Sequence, residues 1–293
     1  MERLDTNTTI AICAGTKIGD SLISMVFARN LCENGYDVTV FSDPLTQLSP
    51  LFPNYLIKPA ITNEQRENKL APFDLRLFPA NGDYLRHKDP EIERTLLEKS
   101  QAIFYRQERL SDVFEKLCRE VFGLGKTFRD PGMLAPKGIF KRHKKRIAIH
   151  PTSSRADKNW QKYKFIKVAQ ALQDRGFEPV FVLAPHEAAA WEKCGFPVAY
   201  FTSLLDMASF LYESGLFFGN DSGLGHLASA MHHATVTLCP RRKQGRRWGP
   251  AWGRSEMLYP WLHLPGLRMK ELFWKYFISP QRALDALLAQ HYE

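Results

Sequence analysis

At 293 residues the chain is long enough for two domains that each bury a core, and 44% hydrophobic with 24% charged residues excludes fibrous, collagenous and disordered classes. Forty Lys and Arg against 31 Asp and Glu leave a net charge of +9, which biases encounters toward nucleic acid, anionic membrane surfaces or phosphorylated substrates. Five scattered cysteines, Cys13, Cys32, Cys118, Cys194 and Cys239, without C-x-x-C spacing, read as thiols of a reducing compartment and argue against a zinc site or redox dithiol. The first residues lack the charged-then-apolar order of a signal peptide, and no apolar run approaches the roughly 20 residues of a membrane span. The expected location is cytoplasmic, with any membrane contact peripheral.

A β-rich run at 8–14 leads through Gly15-Thr-Lys-Ile-Gly-Asp20 into Leu22, Met25, Val26, Ala28 and Leu31 at helical spacing, and Gly35 precedes a second strand at 36–41. This is a β-α-β unit. A third strand is expected at 73–78, with helices around 92–99 and 111–122. The stretch Gly123-Leu-Gly-Lys-Thr127 ends like a phosphate-binding loop, but Glu120 stands where that loop needs glycine and a helix precedes it, so it reads as a helix end.

Residues 137–146 form a basic connector with little patterning, read as a solvated linker with attraction for anionic lipid, and a new alternation starts after it. Strands are expected at 146–151, 178–184 and 198–201, and helices at 162–174, 187–193 and 204–213. Then comes Leu216-Phe-Phe-Gly-Asn-Asp-Ser-Gly-Leu-Gly-His226, a strand, a tight turn and a short helix, followed by a strand to Cys239. Arg241 to Arg254 interleaves cations with Trp248 and Trp252 and is expected as a loop. Ser279-Pro280 opens a C-terminal helix. Strands and helices in turn imply parallel sheets covered on both faces, and the boundaries expected are 1–140, 141–278 and a helix at 279–293.

Chemistry is expected where strands end. The first free N–H groups of the helix after Asp221-Ser222-Gly223 form an anion site, and phosphate is the usual anion there. A plain alternative is a turn in which Asp221 caps the helix and His226 packs.

Three segments in order, Ser153-Ser-Arg-Ala-Asp-Lys-Asn-Trp160, Ala184-Pro-His-Glu187 and the Asp221 turn, resemble glycosyltransferase family nine, the bacterial heptosyltransferases of lipopolysaccharide synthesis. Gly19-Asp20 at the start of the first helix is similar to the family's opening. The resemblance covers the C-terminal half and the first forty-odd residues, and is loose between about 50 and 130. It implies an α/β, GT-B-like fold, two Rossmann-type domains with parallel sheets facing across a cleft, the first binding acceptor and the second the nucleotide-sugar donor. It implies inverting transfer of heptose from ADP-heptose to the lipid A-Kdo inner core.

In that reading Asp20 is the general base, and the backbone N–H groups of Ser222 and Gly223 cradle the diphosphate. Lys158 is a mobile cation for phosphate or sugar, and His226 donates to a phosphate oxygen. Glu187 accepts from ribose hydroxyls and Asp221 from sugar hydroxyls. Lys17, Arg241, Arg242, Arg246 and Arg247 are candidate phosphate or acceptor contacts. No metal and no cofactor are required, although a divalent cation can aid the diphosphate. The partners implied are a nucleotide sugar, an acidic lipopolysaccharide precursor at the inner leaflet and an anionic membrane surface.

The segment 241–254 is more basic than the family's usual one, and three roles stay open for it: solvated loop, cleft-lining grip on phosphate, or nucleic-acid patch. Two other functions are weighed, a glycosyltransferase of similar build with another nucleotide sugar and a basic nucleic-acid-binding protein. The second is disfavoured because the cations do not lie along a recognition helix. A Rossmann oxidoreductase is weaker still, since no G-x-G-x-x-G follows the first strand.

Overall fold

The computed structural model describes residues 4–79, 84–250, 252–262 and 273–292. The chain divides into two compact units, Met1–Leu134 and Ala135–Glu293. Residues 1–3, where the N-terminal reading begins, and Ala251 of the basic segment lie outside the described residues.

In the first unit β1 (Thr9–Cys13) lies between β2 (Asp37–Phe41) and β4 (Leu75–Leu77), with β3 (Leu56–Lys58) and β5 (Leu85–His87) at the edges, in the order β3-β2-β1-β4-β5. The first four strands are parallel and β5 is antiparallel to β4, so this sheet is mixed where an all-parallel one was expected. The reversal follows from length. Only seven residues separate Leu77 from Leu85, too few for the helical crossover a parallel neighbour needs.

Helix α1 (Ile18–Cys32) is buried along most of its length, because the sheet covers one side and α5 (Leu110–Glu120) the other. Phe27 stacks on Phe114 with ring centroids 4.2 Å apart. The Gly123–Thr127 stretch follows α5 and not a strand, which agrees with the helix-end reading.

The second unit holds six parallel strands in the order β11-β10-β9-β6-β7-β8, formed by β6 (His143–His150), β7 (Glu178–Leu183), β8 (Val198–Tyr200), β9 (Ser214–Asn220), β10 (Thr235–Leu238) and β11 (Ser255–Leu258). This is the doubly wound order. The chain winds outward from β6 to β8, returns, and winds the other way from β9 to β11. The reversal falls between β6 and β9, where ligands of such sheets bind outside the carboxyl ends.

Helices α6 (Lys162–Gln173) and α8 (Leu204–Glu213) match the expected spans closely. The C-terminal helix Pro280–Tyr292 packs on α6, and Ala283, Leu284 and Leu287 join Phe165, Phe181 and Phe218 in one core.

Three expectations are corrected. The helix expected at 187–193 is α7 (Pro185–Ala188), which starts at Pro185 because its fixed backbone angle suits the first helical position. The segment expected as a loop contains α10 (Arg242–Trp248) and then β11. The helix tolerates Gly245 because a side chain there would collide with the Tyr259 ring and Cys239 Sγ, so its absence lets α10 lie flat on them. The end of the basic connector is strand, since β6 begins at His143. All five cysteines are free, and no helix among the described residues is long and apolar enough to cross a membrane.

Candidate donor site at the end of the second sheet

Two loops meet at the reversal point, the one leaving β6 (151–161) and the turn leaving β9. Asn220, the last residue of β9 and fully buried, ties them together. Its Oδ1 accepts from the Trp160 N–H at 3.0 Å and its Nδ2 donates to Pro151 O at 2.6 Å. A third hold comes from the segment before the C-terminal helix. Trp274 Nε1 donates to Asp157 O at 2.9 Å, and Trp160 Nε1 to Lys275 O at 3.1 Å.

Lys164, 6% exposed, completes that clasp by donating to Lys275 O at 2.7 Å and Ile278 O at 2.9 Å. Burial lowers its pKa, so three carbonyls, with Tyr276 O at 3.4 Å, offset the cost of burying the ammonium.

So anchored, the 151–161 loop brings Lys158 to the Asp221 turn. Lys158 Nζ lies 2.8 Å from Asp221 Oδ2, with the side chains 20% and 10% exposed. The lysine expected as a mobile cation is held in an ion pair. Next, α9 (Gly223–Ala230) starts with Ser222 as its N-cap in extended conformation, and the Ser222 side chain makes no capping bond. Asp221 is not the cap either; its N–H donates to Leu238 O at 2.9 Å. The helix end therefore keeps the unpaired donors and positive potential that favour an anion.

Beneath the turn lies His226, 6% exposed, its pKa pushed down to about 4 by burial, with the Lys158 charge adding to that and Asp221 opposing it. It is a neutral imidazole at pH 7 and can donate one hydrogen bond at most. Ser222 Oγ, His226 Nδ1 and Thr237 Oγ1 are buried with no hydrogen-bond partner among the described residues. Buried polar atoms are ordinarily paired, so three unpaired ones on and beneath α9 set this helix start apart. Cys239, at the end of β10, is pushed up to about 12 by burial and then by the Asp221 charge, which makes it an inert wall. Gly219 is required by the sheet and not by a ligand, since a Cβ there would sit 2.6 Å from His150 O.

Glu187 stands at the start of α7, where Oε2 accepts from the Ala184 N–H at 2.8 Å. Its charge reaches His150, the last residue of β6. His150 is buried, its Nδ1 2.8 Å from Val182 O and its Nε2 3.4 Å from Thr152 Oγ1. Sequence reading missed both His150 and Asn220, although each ends a strand where ligand-facing residues are expected.

Of the remaining candidates, Asp20 lies in the first turn of α1, half-buried, with its carbonyl accepting from Ser24 Oγ at 2.7 Å. The N-cap is Lys17, exposed, and its side chain makes no capping bond. Arg241 is the N-cap of α10, Arg242 and Arg246 on that helix are exposed, and Arg247 is half-buried. The second unit thus gathers Lys158, Asp221, Ser222, Gly223 and His226, while Asp20 and Lys17 belong to the first. Among the described residues no group of three or more His, Cys, Asp or Glu could hold a metal ion.

Two Rossmann-type units, one carrying an anion-ready helix end beside a lysine at its topological reversal, define the architecture of GT-B-type glycosyltransferases. A family model described as glycosyltransferase family 9 (heptosyltransferase) matches residues 81–260, and the chain belongs to that family. It is a glycosyltransferase. Comparison with curated proteins gives no match.

Among solved structures, a glycosyl transferase family 9 protein from Veillonella parvula is 16% identical, covering 99% of each chain with a TM-score of 0.71. The ADP-heptose lipopolysaccharide heptosyltransferase II of E. coli is 16% identical over 97% of this chain and 98% of its own, with a TM-score of 0.62. The E. coli heptosyltransferase WaaC, solved with ADP, is 13% identical over 97% and 99%, with a TM-score of 0.65. At these identities the likeness carries the fold.

Proposed function

We propose that the protein transfers heptose from ADP-heptose to the Kdo-lipid A inner core of lipopolysaccharide, with the first domain (1–140) binding acceptor and the second (141–278) binding donor. The observation that carries this reading is the uncapped start of α9 at the sheet reversal, with Ser222 Oγ buried and unpartnered and Lys158 close by. Family membership and a solved relative named with ADP support it.

In the reaction the Asp20 carboxylate takes the proton of the acceptor hydroxyl as its oxygen attacks the anomeric carbon. The bond from that carbon to the β-phosphate oxygen breaks on the opposite face, and ADP leaves with the electron pair. The anomeric configuration inverts, and no covalent sugar-enzyme intermediate forms. Backbone N–H groups of Ser222 and Gly223 meet the charge developing on the diphosphate, and preorganised donors there lower the barrier most. Binding exchanges the Lys158–Asp221 pair for two new ones, lysine with phosphate and aspartate with sugar hydroxyls. Glu187 accepts from ribose, and His226 donates its one N–H. Arg241, Arg242, Arg246, Arg247 and Lys17 supply further phosphate or acceptor contacts. A divalent cation is an aid and not a requirement, and the work takes place at the cytoplasmic face of the inner membrane.

Incubation with ADP-heptose and Kdo-lipid A should release ADP and enlarge the acceptor by one heptose. Asp20→Ala should abolish turnover and keep ADP affinity. Turnover with a different nucleotide sugar alone would sink the donor assignment, and lost ADP affinity in the variant would sink the role of Asp20 as base.

A further inference from the structure

A turn at the entrance of the second unit holds two adjoining apolar side chains in solvent. Gly138 adopts φ +126°, and a Cβ there would sit 2.8 Å from Glu213 Oε1, so only glycine lets that carboxylate reach the turn. The Ile139 N–H donates to Glu213 Oε1 at 3.3 Å, the Lys141 N–H to Tyr212 O at 3.0 Å, and the Arg142 N–H back to Ile139 O at 3.0 Å. Pinned to the end of α8, the turn leaves Ile139 63% and Phe140 43% exposed. Phe140 packs at a tilt against the Tyr212 and His233 rings, each 5.1 Å away, and Lys141 Nζ lies 5.3 Å from its ring centre.

Single exposed apolar residues are ordinary. Here the surroundings are mostly cationic, with the Glu213 carboxylate beneath the turn and 4.0 Å from Arg142. From Pro131 to Ala156 the sequence contains no Asp or Glu, while Lys137, Lys141, Arg142, Lys144 and Lys145 cluster about the turn. Arg254 is near enough to Lys141 to help lower its pKa, second to burial. The first residues of β6, 143–145, are exposed and run past the point where pairing with β7 starts, at Arg146 opposite Glu178. From His143 to His150 β6 runs eight residues or about 25 Å, so the turn lies at the opposite end of the strand from the Asp221 site and leaves that site uncovered.

We propose that residues 137–145 dock the protein on an anionic bilayer, with Ile139 and Phe140 entering the boundary between headgroups and acyl chains and the surrounding cations meeting lipid phosphates. A bilayer satisfies both halves of this surface, whereas a nucleic acid would meet the cations and leave Ile139 in water. The inference rests on the proposed function only in taking the acceptor to be a membrane lipid.

Flotation of the full chain with phosphatidylcholine vesicles, with or without phosphatidylglycerol, tests it against Ile139→Asp and Lys144→Glu/Lys145→Glu. All three positions are exposed, so melting temperature and ADP affinity should stay as in the wild type. The wild type should float with the anionic vesicles only, less so in high salt, and each variant should bind about tenfold more weakly or worse. Variants that float like the wild type would overturn the surface while leaving membrane association intact. A wild type that ignores both vesicles, or that binds single-stranded RNA instead with the same losses in the variants, would overturn the proposal and leave the donor assignment untouched. Loss of vesicle binding in the variants of a protein that turns over no ADP-heptose would sink the donor assignment and keep the surface.

Discussion

Replacing Asn220 with alanine should release the loop that carries Lys158. The side chain is fully buried and makes two bonds, to the Trp160 N–H at 3.0 Å and Pro151 O at 2.6 Å. Truncation removes both and leaves a donor and an acceptor in the interior, each costing about 1–3 kcal/mol, so a total near 3 kcal/mol is expected. For units of this size each kcal/mol moves the melting point by about 2–4 °C, which gives a fall of roughly 6–12 °C. Trp160 is two residues from Lys158, so ADP affinity should fall with stability. Asn220→Asp should be no better. It keeps an acceptor for Trp160 but sets a carboxylate against the Pro151 carbonyl and beside Asp221. Calorimetric melting and ADP titration of the three proteins check this. An Asn220→Ala protein that melts and binds ADP like the wild type would refute the clip, because the loop would then be held by the Trp274 and Lys164 contacts alone.

Lys158→Ala leaves the Asp221 carboxylate unpaired above His226, and ADP titration should record a loss of about tenfold to a hundredfold in affinity. Lys164→Met removes the ammonium's bonds to the carbonyls of Lys275 and Ile278, which Trp160 Nε1 still reaches, and urea unfolding should show about 1–3 kcal/mol less stability. His226 and His233 both have pKa values lowered from 6.5 to about 4, mainly by burial. Their unfolded forms take up protons first as pH falls, so the stability that neutral burial supplies is complete above pH 6.5 and is lost progressively down to pH 4. A urea midpoint that stays flat from pH 7 to pH 4 would contradict this, and His233→Asn should flatten part of the slope.

The sheet of the second unit was legible because its strands and helices repeat at lengths that local pattern can read, as with α8, expected and found at 204–213. Of the edges only β8, expected at 198–201, was legible. Strands β3, β5 and β11 have three or four residues each, little for an alternation to register, and their pairing depends on neighbours distant in sequence. Helix α10 was hidden by its glycine and its cations, and only Tyr259 and Cys239 beneath Gly245 explain why a helix lies there. The candidate site divides in the same way. The Asp221 turn could be picked out by residue type and placement after a strand, and Lys158, Glu187 and Asp20 through the family resemblance, whereas His150 and Asn220 were assigned no role because their bonds reach 32 to 69 residues away.

By itself the sequence determined the longer elements and which turns end in chemistry-bearing residues, since both follow from periodicity and from glycine, proline and polar side chains over a few positions. Only the tertiary structure decided that Lys158 neutralises Asp221, that Asn220 and Lys164 fix the loop between them, and that Ser222 Oγ and His226 Nδ1 are buried with bonds to spare. Those outcomes depend on distance and burial between segments 60 or more residues apart, and the order of residues along the chain sets neither until the sheet brings β6 beside β9.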